Sequence, residues 1–141
     1  MAKVSFVGFQ EKVEIPEGFE LLEVSDEIPT NLHKDQLFSL LSEPIKISEW
    51  FYKVHTFDSR PGGKVDFLDL NGAAAQAVCT SFVLGKEISL VADLFGNFKA
   101  KVVKGKESNF LNLNFSILTN DAQSKSEELL TLVNRLRELV A

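Results

Sequence analysis

A chain of 141 residues with 45% hydrophobic and 25% charged side chains has the length and composition of an ordinary globular protein, and we expect residues 1–141 to form a single domain. The net charge of −5 and the scatter of the 15 basic residues argue against non-specific binding to nucleic acid. No apolar run approaches the roughly 20 residues that cross a bilayer, and the N-terminus lacks the features of a signal peptide, so we expect no membrane insertion and a cytoplasmic location.

The first elements predicted along the chain are two strands that form a hairpin. Val4–Phe9 and Phe19–Ile28 have strand composition, and Val13–Gly18 between them contains the turn residues proline and glycine.

Two short helices are predicted next. Leucines at the i, i+3, i+4 spacing predict a helix over His33–Leu41, and its N-cap is left open between Thr30 and Leu32. A second helix is predicted to begin at Ser42–Pro44, because proline is tolerated in a first turn, and to end near Trp50-Phe51.

An antiparallel meander is predicted for the following seventy residues or so. Its turns are marked by glycine-containing segments such as Gly62-Gly63 and Asn71-Gly72. The Gly62-Gly63-Lys64 sequence lacks the rest of a phosphate-binding loop and is interpreted as a hairpin turn. In the last two strands apolar and polar residues alternate cleanly, which predicts one buried and one wet face. The predicted strands are Lys53–Phe57, Lys64–Asp69, Ala73–Phe82, Glu87–Ala92, Asn97–Val103 and Asn109–Leu118.

The period of the apolar residues changes from two to 3.6 after Asp121, which predicts a C-terminal amphipathic helix. Its cap is open between Asn120, Asp121 and a capping box formed by Ser124 and Glu127. We expect its apolar stripe to lie on the apolar face of the sheet. The stripe consists of Ala122, Leu129, Leu132, Val133, Leu136 and Val140.

The order and spacing of four segments resemble those of the START-like (SRPBCC) helix-grip superfamily. They are Glu49-Trp50-Phe51, Arg60-Pro61-Gly62-Gly63, Gly72 at the start of a strand, and the final helix. Within the superfamily the chain looks closest to the branch named after the activator of the heat-shock ATPase. Many relatives carry a Gly-Trp pair near the start of the last helix, where this sequence has Glu128-Leu129-Leu130.

The resemblance implies an α+β fold. A curved antiparallel sheet of about six to eight strands would wrap around the long C-terminal helix. Two short helices would close one end, and a cavity would lie between the sheet and the helix.

No constellation of catalytic or metal-binding residues accompanies this pattern. His33 and His55 have no Cys or carboxylate at metal-ligand spacing, and Asp66 and Asp69 should point to opposite faces of their strand. The lone Cys79 excludes an internal disulfide and has no neighbouring cation, so we interpret it as a small buried hydrophobe. We therefore predict no catalytic residue, no metal and no cofactor.

Three functional hypotheses stay open. The first is a binding protein for a small, mostly apolar molecule, and the second is a stress-response or co-chaperone-type protein that contacts a chaperone ATPase through its surface. The third is an enzyme of the cyclase or dehydratase kind, for which Asp26, Asp69 and His55 are the candidate acid–base groups. The balance favours a non-catalytic protein, and homodimer formation is left open.

The first hypothesis predicts a set of ligand-contacting residues, chosen for bulk, strand parity and helical phase. Trp50 has two readings: a hydrophobic plug between the second helix and the sheet, or an aromatic wall with its indole N–H free to meet a ligand oxygen. The predicted residues are Trp50, Phe67, Ala77, Leu90, Phe98, Leu113, Phe115, Leu132 and Leu136.

Overall fold

The computed structural model describes residues 3–7 and 16–141, which form eight strands and three helices. The strands are β1 Lys3–Val7, β2 Glu20–Thr30, β3 Lys53–Phe57, β4 Lys64–Leu68, β5 Ala74–Val83, β6 Glu87–Ala92, β7 Gly96–Lys104 and β8 Asn109–Thr119. The helices are α1 Lys34–Ser42, α2 Pro44–Ile47 and α3 Ala122–Val140. The predicted α+β class and strand number are confirmed.

All eight strands belong to one antiparallel sheet, in the order β1-β2-β8-β7-β6-β5-β4-β3. The N-terminal hairpin is confirmed by the pairing of β1 with β2. Gly8, Phe9 and the first part of the predicted turn lie outside the described residues. The turn around Gly62 is the hairpin turn between β3 and β4, and the positive φ of 84° at Gly62 explains the glycine.

One face of the sheet is buried and carries the core. Phe98 and Ala100 of β7 lie opposite Phe115 and Leu113 of β8, and all four are at most 2% exposed. The parity of β5, which the sequence left unclear, places Ala77 and Cys79 on this inner face. The predicted alternation is therefore confirmed for β7 and β8.

The first two helices depart from the prediction at their ends. His33 is the N-cap of α1, because its Nδ1 accepts a hydrogen bond from the Asp35 N–H (3.2 Å) and its own N–H donates to Gln36 Oε1 (3.1 Å). The expected cap at Thr30 or Leu32 was wrong. Helix α2 ends at Ile47 rather than near Trp50-Phe51. The hydroxyl of Ser48, the C-cap, accepts a hydrogen bond from the Val54 N–H in β3.

Helix α3 begins after Asp121, whose carboxylate accepts from the Ser124 N–H (3.2 Å), so Asp121 is the N-cap and the Ser124–Glu127 alternative was wrong. The stripe is buried as predicted, except that Ala122 is only half-buried. The helix packs on β2 and β8. Near its C-terminal end Arg137 forms a bidentate ion pair with buried Asp26 of β2, with both N–O distances 2.7 Å.

Strand β5 extends beyond its neighbour β6. The register between them begins at Val78 and Val91, so Ala74–Ala77 pair with β4 alone among the described strands. The turn from Asp93 to Phe95 lies beside this overhang and leads into β7. A recess is thereby left at one end of the sheet, next to the first turns of α3.

Candidate functional site

Seven aromatic rings fill the space beneath the helices at the centre of the sheet. Neighbouring rings lie 4.5–6.4 Å apart between centroids, and each residue is at most 2% exposed. These distances are typical of packed aromatic pairs, so the rings leave little room among themselves. This aromatic cluster consists of Trp50, Phe51, Tyr52, Phe67, Phe95, Phe98 and Phe115.

The nine residues predicted to contact a ligand are all at most 2% exposed. Four of them belong to the aromatic cluster, and the remaining five lie in the surrounding core. Phe67, a member of the set, also lines a pocket at the surface. The five core residues are Ala77, Leu90, Leu113, Leu132 and Leu136.

Trp50 corresponds to the plug and not to the wall with a free N–H. Its Nε1 donates a hydrogen bond of 2.7 Å to the carbonyl oxygen of Leu40 in α1, and the residue is 0% exposed. Its ring contacts Phe51 and Phe98. Of the two interpretations offered by the sequence, the one with a free indole N–H is contradicted, because this buried N–H takes a partner within the fold.

A pocket of about 810 Å³ lies at the recess beside α3, and we refer to it as the mouth pocket. Its volume is within the range of roughly 300–1,000 Å³ that is usual for small-molecule sites. Phe67 joins the pocket to the aromatic cluster. The apolar lining residues are Phe67, Leu68, Ala74, Ala75 and Leu94, and the polar ones are His55, Asp66, Gln76, Asp93 and Lys125.

A chain of polar contacts includes Lys125, the lining residue that α3 contributes to the pocket. The Tyr52 hydroxyl donates to Glu128 Oε2 (2.5 Å), and Lys125 Nζ lies 3.5 Å from the same oxygen. Lys125 also donates to the carbonyl oxygen of Leu94 (2.8 Å). Lys125 and Glu128 are one helical turn apart on α3. Through Leu94 and Tyr52 they join this helix to the β6–β7 turn and to the residue directly before β3. We call Tyr52, Glu128 and Lys125 the polar chain.

The environment of Tyr52 disfavours its ionised form. Burial is the largest cause that raises the pKa of its hydroxyl above the ordinary value, and the hydrogen bond to the Glu128 carboxylate adds to it. The hydroxyl therefore remains a donor at neutral pH. Sequence reasoning missed this group, although a signal was present: a single tyrosine among twelve phenylalanines, whose hydroxyl needs a partner when buried.

The three candidate acid–base groups are separated in the fold. Asp26 of β2 forms an ion pair with Arg137 of α3. The Asp69 carboxylate accepts hydrogen bonds from the backbone N–H groups of Asn71 and Ala73 in the β4–β5 turn. His55 is exposed and lines the mouth pocket. The structure thus does not bring together the groups on which the enzyme hypothesis depends.

The remaining titratable residues singled out in the sequence have structural partners. Asp66 accepts from Thr56 and Gln76, both at 2.8 Å, and these two hydrogen bonds lower the pKa of its carboxyl. Cys79 is buried, and burial raises the pKa of its thiol, which agrees with a small hydrophobe rather than a nucleophile. Within residues 3–7 and 16–141, no group of three or more His, Cys, Asp or Glu could hold a metal ion.

Comparison with solved structures gives the fold a name. CalU16 from Micromonospora echinospora superposes with a TM-score of 0.65 at 14% identity, over 100% of this chain and 87% of that one. The Aha1 dimer from Colwellia psychrerythraea gives 0.62 at 10% identity, over 84% and 95% of the two chains. DynU16, from the dynemicin biosynthetic locus, gives 0.65 at 15% identity, over 87% and 47%.

The chain has the START-like helix-grip fold. The resemblance seen in the sequence is confirmed at this level. Identities of 10–15% show the fold alone, so the narrower resemblance to the heat-shock ATPase activator branch stays a prediction. No protein-family model matches the sequence, and no curated protein matches it. No helix in the described part of the chain is long and apolar enough to cross a membrane.

Proposed function

We propose that this protein is a non-catalytic START-like module that binds a small, mostly apolar molecule in the mouth pocket. The observation that carries the proposal is the pocket itself: a volume of about 810 Å³ at the open end between the sheet and α3, with an apolar wall and a polar chain beside it. A ligand there would gain about 25 cal/mol for each Å² of apolar surface removed from water.

The position of the ligand follows from the packing of the aromatic cluster. Phe67 belongs both to the cluster and to the pocket lining, so the ring would form the floor against which a ligand rests. The other eight residues predicted from the sequence would meet a ligand only if rings of the cluster moved apart. We therefore place the first binding position at the mouth and keep those eight as residues of a deeper position.

A neutral fluorescent probe tests this proposal. We expect N-phenyl-1-naphthylamine to bind the folded protein saturably, with a change in the fluorescence of the single Trp50 as an independent reporter. The variant Ala75→Phe fills the pocket from its wall and should weaken binding about tenfold or more. Ala73→Phe is the matched control, because Ala73 is exposed and precedes β5.

Two results would contradict the proposal. The first is the absence of saturable binding by wild-type protein whose circular dichroism spectrum is that of a folded protein. The second is equal affinity of Ala75→Phe and wild type for the probe, because binding would then take place elsewhere on the surface.

A second candidate function is interaction with a chaperone ATPase, and two strongly exposed apolar side chains, together called the patch, favour it. Ile45 is 82% exposed and Leu84 is 80% exposed, and both lie at the end of the molecule that α1 and α2 cover. Isolated apolar residues are common at surfaces, but a pocket of about 400 Å³ adjoins Leu84 and is partly lined by Phe38.

The test of the second candidate uses a purified heat-shock ATPase. If the patch mediates contact, wild-type protein should change the rate of ATP hydrolysis, and the double variant Ile45→Glu/Leu84→Glu should not. Sedimentation of wild type and of the double variant reports whether the same patch joins two copies of this chain. If wild type and the double variant change the rate of ATP hydrolysis equally, the patch is excluded as the contact surface.

A further inference from the structure

Lys125 has donor capacity to spare in the mouth pocket. An ammonium group carries three N–H donors, and two are accounted for by the Leu94 carbonyl oxygen (2.8 Å) and by Glu128 Oε2 (3.5 Å). The side chain lines the pocket and is only 18% exposed. It is also the one cationic side chain among the described residues that line the pocket. A ligand oxygen in the pocket can therefore accept a hydrogen bond from the third N–H.

The surrounding charges decide which kind of acceptor fits. Glu128 lies beside Lys125 and balances its charge, and the carboxylates of Asp66 and Asp93 also border the pocket. Both oxygens of Asp66 already accept from Thr56 and Gln76. An anionic head group would meet this excess of carboxylates, whereas a neutral carbonyl or hydroxyl oxygen would accept the hydrogen bond without that repulsion.

We propose that Lys125 determines the specificity of the mouth pocket by selecting apolar molecules that carry a neutral carbonyl or hydroxyl oxygen. This inference rests on the proposed function, since it assigns a ligand class to the same pocket. The apolar wall gives affinity without orientation, and the single charged donor fixes which end of the ligand faces α3. The geometry that holds Lys125 in place is the contact to Leu94, which anchors the ammonium group at the edge of the pocket.

The experiment compares three naphthalenes that share one apolar body, as competitors of N-phenyl-1-naphthylamine. They are 2-acetylnaphthalene, its isostere 2-isopropenylnaphthalene, which lacks the oxygen, and anionic 2-naphthoate. We expect Lys125→Met to lower the ratio of ketone affinity to alkene affinity about tenfold, equivalent to about 1.4 kcal/mol. Lys125→Arg should restore the ratio, because it keeps a charged donor. Lys99→Met is the control for loss of a surface charge. For wild type, 2-naphthoate should bind more weakly than the ketone.

The carbonyl stretching band of bound 2-acetylnaphthalene provides a second measurement that needs no variant. We expect the band to stay at the low wavenumber of a hydrogen-bonded carbonyl in the wild-type complex. A shift to the high wavenumber seen in alkane solvents would overturn the inference, as would an unchanged ketone-to-alkene ratio in Lys125→Met. If either result is found while N-phenyl-1-naphthylamine binds normally, the inference about Lys125 fails and the proposed function stands. If the probe does not bind, the inference and the proposed function both fail.

Discussion

Tyr52 gives the sharpest test of the polar chain, because it is the only tyrosine in the protein. Its hydroxyl is buried and donates to Glu128, and both conditions raise the pKa of the hydroxyl above the ordinary value near 10. A raised folded-state pKa means that the resulting stabilisation is fully present below pH ~10 and is lost as the pH rises above it. The variant Tyr52→Phe removes the titrating group and should remove this pH dependence.

The magnitude follows from proton linkage. Above the pKa of the unfolded chain, wild type should lose about 1.4 kcal/mol of unfolding free energy per pH unit relative to Tyr52→Phe, or about 2 kcal/mol between pH ~10 and pH ~11.5. Near neutral pH we expect wild type to be more stable by about 1.5–3 kcal/mol, the usual value of a hydrogen bond to a charged group. The advantage of the wild type should therefore shrink towards zero at alkaline pH.

Urea denaturation of both proteins at about pH 8, 10 and 11.5 measures this difference. In parallel, the ultraviolet absorbance of tyrosinate reports the ionisation of Tyr52 alone. Glu128→Gln serves as a control, because it keeps the ring buried but removes the carboxylate, and should raise the tyrosine pKa less. The reasoning is refuted if Tyr52 ionises with a midpoint near pH ~10 while the protein is still folded, or if the stability difference does not change with pH.

Three further predictions concern the stability of the scaffold and can be checked by urea or thermal denaturation. Arg137→Met should destabilise by about 2–3 kcal/mol, since it removes the bidentate Arg137 contact from the buried Asp26 carboxylate, and adding Asp26→Leu should recover part of the loss; full additivity would contradict this. Gly96→Ala should cost at least ~2 kcal/mol, because its φ is 73° and a Cβ would lie 2.2 Å from a carbonyl oxygen of β8, whereas Gly85→Ala, with open space around it, should cost about 1 kcal/mol. Phe98→Ala should lower the free energy of unfolding by about 3–5 kcal/mol, because it leaves a cavity in the aromatic cluster. A decrease below ~1 kcal/mol would show that the cluster is loosely packed.

The scaffold could be predicted from the sequence wherever a simple period decides the structure. The alternation around Phe98 and Phe115 and the helical stripe through Leu129 and Leu136 gave the correct faces, because one-sided burial imposes these periods directly. The cap at His33 was missed, since histidine is an uncommon N-cap and the decision depends on the orientation of one ring nitrogen.

The site could be predicted only in part, because it depends on contacts between residues distant in sequence. Parity and helical phase gave the correct inward direction for the predicted strand and helix residues other than Ala77, but direction does not tell whether rings meet or leave a hollow between them. Tyr52 and Glu128 are 76 positions apart, and no periodicity connects them. The Glu128-Leu129-Leu130 segment was noticed as a departure from the family pattern, but nothing in the sequence identified Tyr52 as the partner of the Glu128 carboxylate.

Helix α3 is attached to the rest of the molecule by different interactions at its two ends. Its C-terminal half is held by the Asp26–Arg137 ion pair and by the hydrogen bond from Thr30 to the Val140 carbonyl oxygen, while Lys125 and Glu128 hold the N-terminal half at the edge of the pocket. We expect native-state hydrogen exchange to show faster opening for the first two turns than for the turns around Arg137. A guest bound in the mouth pocket should slow exchange at the beginning of the helix and leave its far end unchanged, because Lys125 lines the pocket and Arg137 does not.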